Sequence, residues 1–326
     1  MSEKIITKKV LDWYDLNKRN LPWRKKVPLY KKHYYILVSE FMLQQTQVVT
    51  VIPFFSRFIK KLPTLEDLAK VKEYELIKLW EGLGYYSRAR NLKKTAHIII
   101  KNFNGKLPDN YEDLISLPGI GNYTASAILA IAFNKPYIPF DGNIERVLKR
   151  YLYLKKSKEI KKDYLNKKKA VFGFSLRSSD YAQALMELGA IICKPSKPLC
   201  DKCPVIINCK SYKKKDFELI KNFKKNKDKY FILKVYKKDQ RYLLIKNTKF
   251  NFLKNFTIFP MEELHRPKNF KKNLNVKMSN MNMNIQIEYS KNIRKPPLSY
   301  WVDKKNFNNY MLPSFTKKVV KYLEKN

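Results

Sequence analysis

All four cysteines of the chain lie within a single segment of 17 residues. They follow a Cys-x6-Cys-x2-Cys-x5-Cys spacing at Cys193, Cys200, Cys203 and Cys209. Thiols this close on a proline-containing loop can surround one ion or cluster, whereas a disulfide framework distributes its cysteines to join distant segments. The spacing favours an iron–sulfur cluster. Zinc is the alternative, although a four-cysteine zinc site normally combines two Cys-x2-Cys pairs and this chain has one.

The balance of charge points to a polyanionic partner. The 326 residues include 68 Lys and Arg against 28 Asp and Glu, which gives a formal net charge of +40. Neutralisation of phosphates and release of counterions would then supply much of the affinity, so nucleic acid is the leading candidate. Lysine runs are read as solvated faces or linker. The arginines are more selectively placed, since several lie beside glycine, tryptophan or aspartate: Arg19, Arg24, Arg88, Arg90 and Arg146.

No membrane association is expected from the sequence. It contains no run of 18 apolar residues, and its first residues do not follow the pattern of a signal peptide. We therefore expect a soluble, intracellular protein, cytoplasmic and associated with the nucleoid, that acts as a monomer.

The pattern of apolar residues predicts two domains joined by a linker. Residues 1–212 show helical periodicity and are predicted to be all-α. Residues 213–229 are charged and poor in aliphatic side chains, as in a linker. Residues 230–326 are predicted to form a small α+β domain. It would open with a hairpin of strands 230–236 and 241–246, continue with a strand at 278–289 and close with a helix at 314–324.

The apolar stretch 34–52, predicted to be one helix, carries a polar stripe of Glu40, Gln44 and Gln47. Burial of a carboxyl group raises its pKa into the range that suits a general acid. The alternative for such a stripe is a satisfied hydrogen-bond network in the core, and for an isolated glutamate that alternative is preferred.

Two further motifs suit a nucleic-acid enzyme. Gly119 and Gly121 lie in a hairpin between two predicted helices, where backbone N–H groups can approach a phosphate. This predicts a helix-hairpin-helix that holds the DNA backbone. Asp141 precedes another predicted helix and is most simply its N-cap. A carboxylate fixed at that place can also face a developing cation.

Five motifs in this order resemble the MutY-type adenine DNA glycosylases of the endonuclease III, helix-hairpin-helix-GPD superfamily. They are VSEFMLQQTQV (38–48), GLGYYSRARN (82–91), LPGIG (117–121), DGN (141–143) and the cysteine loop, and LPWR (21–24) matches as well. The resemblance covers the first two-thirds of the chain closely. It implies an all-α helix-hairpin-helix glycosylase domain with a [4Fe-4S] cluster loop, followed by a small α+β Nudix-like domain that recognises the lesion.

The resemblance also implies a role for individual residues. Glu40 would protonate adenine, and Asp141 would stabilise the oxocarbenium-like sugar with help from Tyr123 and Asn143. The adenine pocket would contain Arg19, Leu21, Trp23 and Gln183, and the four cysteines would hold a [4Fe-4S] cluster. Gln45 and Tyr85 would enter the base stack as a wedge. The partner would be double-stranded DNA with adenine opposite 8-oxoguanine or guanine.

Alternative readings of the same fold differ at identifiable residues. Endonuclease III uses a lysine soon after the hairpin glycines as a Schiff-base nucleophile, and this chain has Tyr123 there. Thymine-mismatch glycosylases can carry that tyrosine but lack the Glu-and-Gln-Gln-Thr helix. A non-enzymatic lesion-binding protein would be expected to have lost Glu40 or Asp141. In the C-terminal domain, Ser279 aligns with the serine of the family's Phe-Ser-His loop, flanked here by methionine and asparagine.

The cysteine loop gives a first prediction. We expect purified protein to be straw-brown with broad visible absorbance, because thiolate-ligated iron–sulfur clusters absorb in the visible range and zinc thiolates do not. Visible spectroscopy with quantification of bound iron and zinc measures this. A colourless preparation, purified without oxygen and loaded with zinc, would contradict the cluster.

Overall fold

The computed structural model describes residues 3–154, 175–218, 226–265, 267, 269–278, 281–290, 296–310 and 312–325. The chain divides into two compact units, Met1–Lys221 and Asn222–Asn326. The division falls within the predicted linker at 213–229. None of the described helices is both long and apolar enough to cross a membrane.

The regular structure described in the first unit is helical throughout, which confirms the all-α prediction for those residues. The helices, in chain order, are α1 (Glu3–Asn17), α2 (Leu29–Leu43), α3 (Val48–Lys61), α4 (Leu65–Lys70), α5 (Glu73–Trp80), α6 (Ser87–Asn102), α7 (Tyr111–Ser116), α8 (Asn122–Ile131), α9 (Gly142–Leu152), α10 (Ser178–Glu187) and α11 (Lys210–Lys213). Short 3-10 turns lie at Pro22–Arg24, Cys200–Lys202 and Ile206–Asn208, and a π-helical turn lies at Leu188–Ile192.

Helix α8 lies at the centre of this unit. Its residues from Thr124 to Ile131 are all buried. Small side chains such as Ala125 and Ala127 allow close approach, and α8 packs against α2, α7 and α10. The turn before it, between α7 and α8, is the predicted helix-hairpin-helix. The central helix thereby joins this hairpin to α2 and α10, which carry Glu40 and Gln183.

The prediction of one helix over residues 34–52 is wrong. Helix α2 ends at Leu43, Gln45 has a left-handed φ of 56°, and α3 begins at Val48. The last carbonyl groups of α2 are held instead by the guanidinium group of Arg88, which donates to Phe41 O and Met42 O. A side chain distant in sequence thus satisfies the helix end, and local periodicity carries no sign of it.

The second unit contains two four-stranded sheets and a helix. Its strands are β1 (Lys227–Val235), β2 (Lys237–Lys238), β3 (Arg241–Lys246), β4 (Thr257–Ile258), β5 (Met261–Leu264), β6 (Leu274–Met278), β7 (Met281–Tyr289) and β8 (Ser299–Asp303). One sheet has the order β5-β1-β7-β6, and the other has β2-β3-β4 with β8 also paired to β3. Alternate residues of β1, namely Phe231, Leu233 and Val235, enter the core, which α12 (Ser314–Leu323) covers with Phe315 and Val319.

Three details of this unit differ from the sequence prediction. Strand β1 begins at Lys227, inside the segment predicted as linker. Strands β1 and β3 lie in different sheets, so the predicted 230–246 hairpin is wrong, and the tight hairpin joins β2 to β3. Met278 ends β6, which pairs antiparallel with β7, rather than beginning the predicted strand. Ser279, the candidate lesion contact, lies outside the described residues.

The hairpin between α7 and α8 gives a stability prediction. Gly119 has a φ of +82°, and a Cβ atom there would lie 2.9 Å from Asn91 Cβ and 2.9 Å from Phe41 Cε1. We expect Gly119→Ala to lower the free energy of unfolding by about 2–4 kcal/mol, because the substitution adds backbone strain to overpacking. Urea unfolding followed by circular dichroism measures this.

Gly121 is the matched control two residues away. It has an ordinary φ of −101°, and a Cβ atom there would meet no other atom within 4 Å. We expect Gly121→Ala to change the free energy of unfolding by less than about 0.5 kcal/mol. Equal urea midpoints for the two variants would contradict the steric argument.

Candidate active site

One cavity of about 650 Å3 in the first unit gathers most of the predicted site residues. Its lining includes nine of them: Arg19, Leu21, Trp23, Glu40, Gln45, Tyr123, Asp141, Asn143 and Gln183. They come from five places in the chain: the segment after α1, helix α2 with the turn that follows, the start of α8, the start of α9, and α10. Residues far apart in sequence therefore meet at one site, as an active site requires.

Glu40 is buried, with only 4% of its surface exposed. Burial raises its pKa from 4.5 to about 7; a hydrogen bond from the Tyr123 hydroxyl and the charge of Arg24 oppose this rise, and the charge of Asp141 adds to it. Its Oε2 atom has no hydrogen-bond partner among the described residues. Near neutral pH, Glu40 is therefore protonated for a substantial fraction of the time and has an oxygen available to a ligand.

Asp141 is the N-cap of α9, as the sequence predicted. Its Oδ1 accepts hydrogen bonds from the backbone N–H groups of Asn143 (3.0 Å) and Ile144 (2.7 Å), and its Oδ2 accepts one from Asn143 Nδ2 (2.9 Å). Burial raises the pKa of Asp141, and these hydrogen bonds act against the rise. The helix dipole also favours negative charge at this position. The carboxyl group is thus fixed in orientation at the cavity wall.

A second buried carboxylate, Glu187, was missed by the sequence analysis. It is fully buried at the end of α10 and accepts hydrogen bonds from Arg19 Nε (2.7 Å) and Nη2 (3.1 Å), and Arg24 Nη1 lies 2.8 Å away. Two guanidinium groups compensate its charge. Gln183 and Glu187 are polar positions four residues apart in the otherwise apolar second half of α10, a pattern similar to the one that singled out Glu40, so the sequence did contain a signal for Glu187.

The back of the site adjoins the start of the cysteine loop. Arg146 Nη2 donates to Asn143 Oδ1 (2.9 Å) and to Gly189 O (2.6 Å), while its Nε donates to Cys193 O (2.7 Å). Gly189 lies in the π-helical turn, and a Cβ atom there would come within 2.6 Å of Asn143 Cβ. Only glycine permits this approach of the turn after α10 to α9, which places Asn143 beside Asp141.

The four cysteines are partly buried and form no disulfide bonds with one another. Arg150 Nη1 lies 3.5 Å from Cys193 Sγ, and Cys209 Sγ contacts Arg150 O at 3.6 Å. The pKa of Cys203 is raised to about 12, chiefly by burial and in smaller part by the neighbouring thiols Cys193, Cys209 and Cys200. The described residues contain no group of three or more His, Cys, Asp or Glu arranged around a single ion. The thiols nevertheless lie close enough to influence one another electrostatically.

Four predicted site residues lie elsewhere. Tyr85 does not line the cavity; it is 41% exposed and has a left-handed φ of 48°. Gly119 and Gly121 belong to the hairpin before α8, and Ser279 is outside the described residues.

The selectively placed arginines are committed to protein partners. Arg19 and Arg24 pair with Glu187, Arg90 Nε contacts Glu73 Oε1 at 2.7 Å, and Arg146 contacts the loop described above. Arg88 is buried and donates to main-chain carbonyls. Two of the five, Arg19 and Arg24, line the cavity.

Comparison with known proteins finds a matching family model and similar curated proteins. Residues 38–170 match the family model described as HhH-GPD superfamily base excision DNA repair protein. An adenine DNA glycosylase of Buchnera aphidicola subsp. Schizaphis graminum is 38% identical over 271 residues, which is 80% of this chain and 76% of that protein.

Solved structures resemble about two-thirds of this chain. A thermostable thymine-DNA glycosylase is 30% identical with a TM-score of 0.56, covering 65% of this chain and 97% of its own. A non-covalent endonuclease III–DNA complex, 23% identical with a TM-score of 0.52, covers 66% of this chain and 98% of its own and shares the fold.

The burial of Glu40 leads to a prediction about stability and pH. The folded state binds a proton at Glu40 more tightly than the unfolded state, because its pKa is about 7 instead of 4.5. Wild type therefore loses stability as pH rises from the unfolded pKa through the folded pKa, whereas Gln at this position cannot ionise. We expect Glu40→Gln to be more stable than wild type by roughly 2–3 kcal/mol at pH 8, and the difference to disappear below about pH 4.5.

Urea unfolding at a series of pH values measures the difference between the two proteins. Glu75→Gln, at an exposed position on α5, is the matched control. Its difference from wild type should change by no more than about 0.5 kcal/mol over the same range. A pH-independent difference for Glu40→Gln would show that the carboxyl is not protonated by burial.

Proposed function

The chain belongs to the adenine DNA glycosylase family of base excision repair, and we propose that Glu40 is the general acid with which it hydrolyses the N-glycosidic bond of adenine. The observation that carries the proposal is the buried Glu40 carboxyl, whose pKa is raised to about 7 and whose Oε2 lacks a partner among the described residues. A protonated carboxyl at that oxygen can donate to a ring nitrogen of the departing base. Protonation makes adenine a better leaving group and weakens the bond to the sugar.

Asp141 is proposed to support the sugar as that bond breaks. Positive charge develops on the sugar in an oxocarbenium-like transition state, and a preorganised carboxylate lowers its energy. Its hydrogen bonds from Asn143 and Ile144 hold the carboxyl in place. Tyr123 is proposed to orient Glu40 through its hydroxyl. The two carboxyls have opposite tasks, since one gives a proton and the other remains negative.

The cavity is proposed to receive an extruded adenine. Adenine within a duplex cannot reach Glu40, so the nucleotide must leave the stack, which costs a few kcal/mol and less at a mismatch. Leu21 and Trp23 supply apolar wall, while Gln183 and the Arg19–Glu187 pair supply polar groups at the same cavity. Gln45 and Tyr85 are proposed to enter the gap in the stack.

Double-stranded DNA with adenine opposite 8-oxoguanine or guanine is the proposed substrate. The net charge of +40 and the helix-hairpin-helix turn support DNA as the partner. The second unit is proposed to be Nudix-like and to recognise the lesion, with Ser279 as a contact, and the enzyme to act as a monomer in the cytoplasm at the nucleoid. These assignments rest on the motif resemblance.

A [4Fe-4S] cluster is proposed at Cys193, Cys200, Cys203 and Cys209. Four thiols are the ligand type that such a cluster takes, Cys193, Cys209 and Cys200 lie close enough to Cys203 to raise its pKa, and the guanidinium group of Arg150 is available to their negative charge. When bound, the cluster would supply structural stability to the loop, and the proton that reaches adenine comes from Glu40 alone. The loop would then present a fixed surface beside α9.

The proposed reaction is hydrolysis without strand cleavage. Lyase chemistry of the Schiff-base type requires an amine nucleophile, and the residue two positions after the second hairpin glycine is Tyr123, whose phenol cannot form an imine. The product would be an abasic site.

Single-turnover excision from a duplex with adenine opposite 8-oxoguanine tests the proposal. We expect the wild-type rate to fall as pH rises through about 7, because Glu40 must be protonated. Glu40→Gln should lower the rate by at least about 10²–10⁴-fold and retain DNA affinity at fixed salt. Glu75→Gln is the control for excision. Borohydride should trap no covalent adduct between the wild-type enzyme and DNA. Efficient excision by Glu40→Gln would refute the general-acid role, and strong trapping would refute the monofunctional reaction.

A further inference from the structure

Arg88 is a buried cation at the start of α6 that the proposed chemistry does not use. Its side chain is buried, with 6% of the residue exposed. In the part of the chain that the structure describes, its partners are main-chain carbonyls and two aromatic rings, with the guanidinium carbon 5.6 Å from the Trp80 centroid and 5.4 Å from the Tyr85 centroid. A buried charge is costly unless its hydrogen bonds are made. The carbonyl groups around Arg88 compensate the desolvation of its guanidinium group.

The carbonyls that Arg88 holds belong to two separate segments. Nη1 donates to Phe41 O (3.2 Å), Met42 O (2.7 Å) and Gln44 O, at the end of α2. Nη2 donates to Leu83 O (3.1 Å) and Gly84 O (3.1 Å), in the turn between α5 and α6. The planar guanidinium group thus joins two chain segments about 40 residues apart through a fork whose geometry is fixed.

Each segment ends directly at an exposed residue with an unusual backbone. The residue after Gln44 is Gln45, with φ 56°, and the residue after Gly84 is Tyr85, with φ 48°. Residues other than glycine rarely adopt this region, and they persist there only where neighbouring contacts over-determine the conformation. The Arg88 hydrogen bonds to the preceding carbonyls are such contacts. One buried side chain therefore holds the backbone directly before both exposed residues.

We propose that Arg88 is a positioning residue that fixes the separation and orientation of Gln45 and Tyr85, so that the two side chains enter the base stack as one preformed unit. This inference rests on the proposed function, in which those two residues fill the gap left by adenine. Holding them in place before DNA binds removes the cost of ordering them during extrusion of the nucleotide. Arg88 itself would not touch the DNA.

Lysine cannot replace arginine in this role. An ammonium group is a compact charge with three donors, whereas the observed contacts spread over five carbonyls in two directions. Arg88→Lys keeps the charge but loses the link between the segments. Arg90→Lys is the matched control, since it lies two residues along the same helix and its guanidinium group pairs with Glu73 at the surface.

Two readouts on the protein with both of its units separate extrusion from chemistry. The first is 2-aminopurine in place of the target adenine, measured in the Glu40→Gln background so that the base stays attached; its fluorescence rises when it leaves the stack. The second is single-turnover excision of adenine opposite 8-oxoguanine, compared with adenine in a one-nucleotide bulge. A bulged adenine has no pairing partner and is easier to extrude.

We expect Arg88→Lys to reduce the fluorescence rise and to lower excision from the mismatch by about 10- to 100-fold, with a much smaller loss on the bulge. Arg90→Lys should behave as wild type in both assays. Equal losses on the two duplexes with an unchanged fluorescence rise would overturn the proposal, since Arg88 would then act on Glu40 through α2. Wild-type behaviour of Arg88→Lys would overturn it as well.

Gly84→Ala tests the same link if Arg88→Lys fails to fold. Gly84 has a φ of +71°, and a Cβ atom there meets nothing within 4 Å, so the substitution strains the turn without entering the core. It should give the same difference between mismatch and bulge, and equal losses on both would count against the proposal. If wild type excises adenine from neither duplex, the proposed function is wrong, and the fluorescence comparison still decides the role of Arg88.

Discussion

The desolvation of charged side chains governs the arrangement of the first unit. Glu40, Arg88 and Glu187 are all buried, and each is treated differently. Glu187 has two guanidinium partners, and Arg88 has a set of carbonyl groups. Glu40 has the Tyr123 hydroxyl and one oxygen without a partner in the described chain. Because charge without compensation is unfavourable in a buried site, Glu40 takes up a proton instead. Glu40 can act as an acid because its Oε2 atom has no hydrogen-bond partner among the described residues and burial favours the protonated form.

The site also depends on close approaches that glycine alone permits. Gly119 brings the hairpin against Phe41, the residue after Glu40, and Gly189 brings the π-helical turn against Asn143, the partner of Asp141. Gly119 thus packs against the residue that follows Glu40 in the chain, and Gly189 packs against the residue that donates hydrogen bonds to Asp141. The positions of the acid and of the carboxylate are therefore set by backbone packing, and a methyl group at either glycine would move a functional group without touching it.

Much of this could be predicted from the sequence, because motifs with local geometry can be read locally. The N-cap role of Asp141 follows from its place before a helix, and the burial of Glu40 follows from the apolar residues around it. The break after Leu43 could not be predicted, since Arg88 satisfies the helix end from 44 to 47 residues away. The placement of β1 and β3 in different sheets was also not predicted, because the alternation of apolar and polar residues indicates a strand but does not specify which strand it pairs with. Glu187 was missed although its spacing from Gln183 repeated the pattern used for Glu40.

The contacts of four arginines with the protein bear on how a chain of charge +40 would bind DNA. Arg19 and Arg24 pair with Glu187, Arg88 donates to main-chain carbonyl groups, and Arg146 donates to the side chain of Asn143. Arginine suits such fixed geometry, whereas lysine is a hydrated and flexible point charge. Attraction to phosphates is then left chiefly to lysines and to backbone N–H groups such as those of the hairpin, which carry no base specificity. Selectivity for the target would depend on which nucleotide can be extruded and protonated. The arginine contacts would then stabilise the structure of the site, and lysine side chains would supply the attraction to DNA.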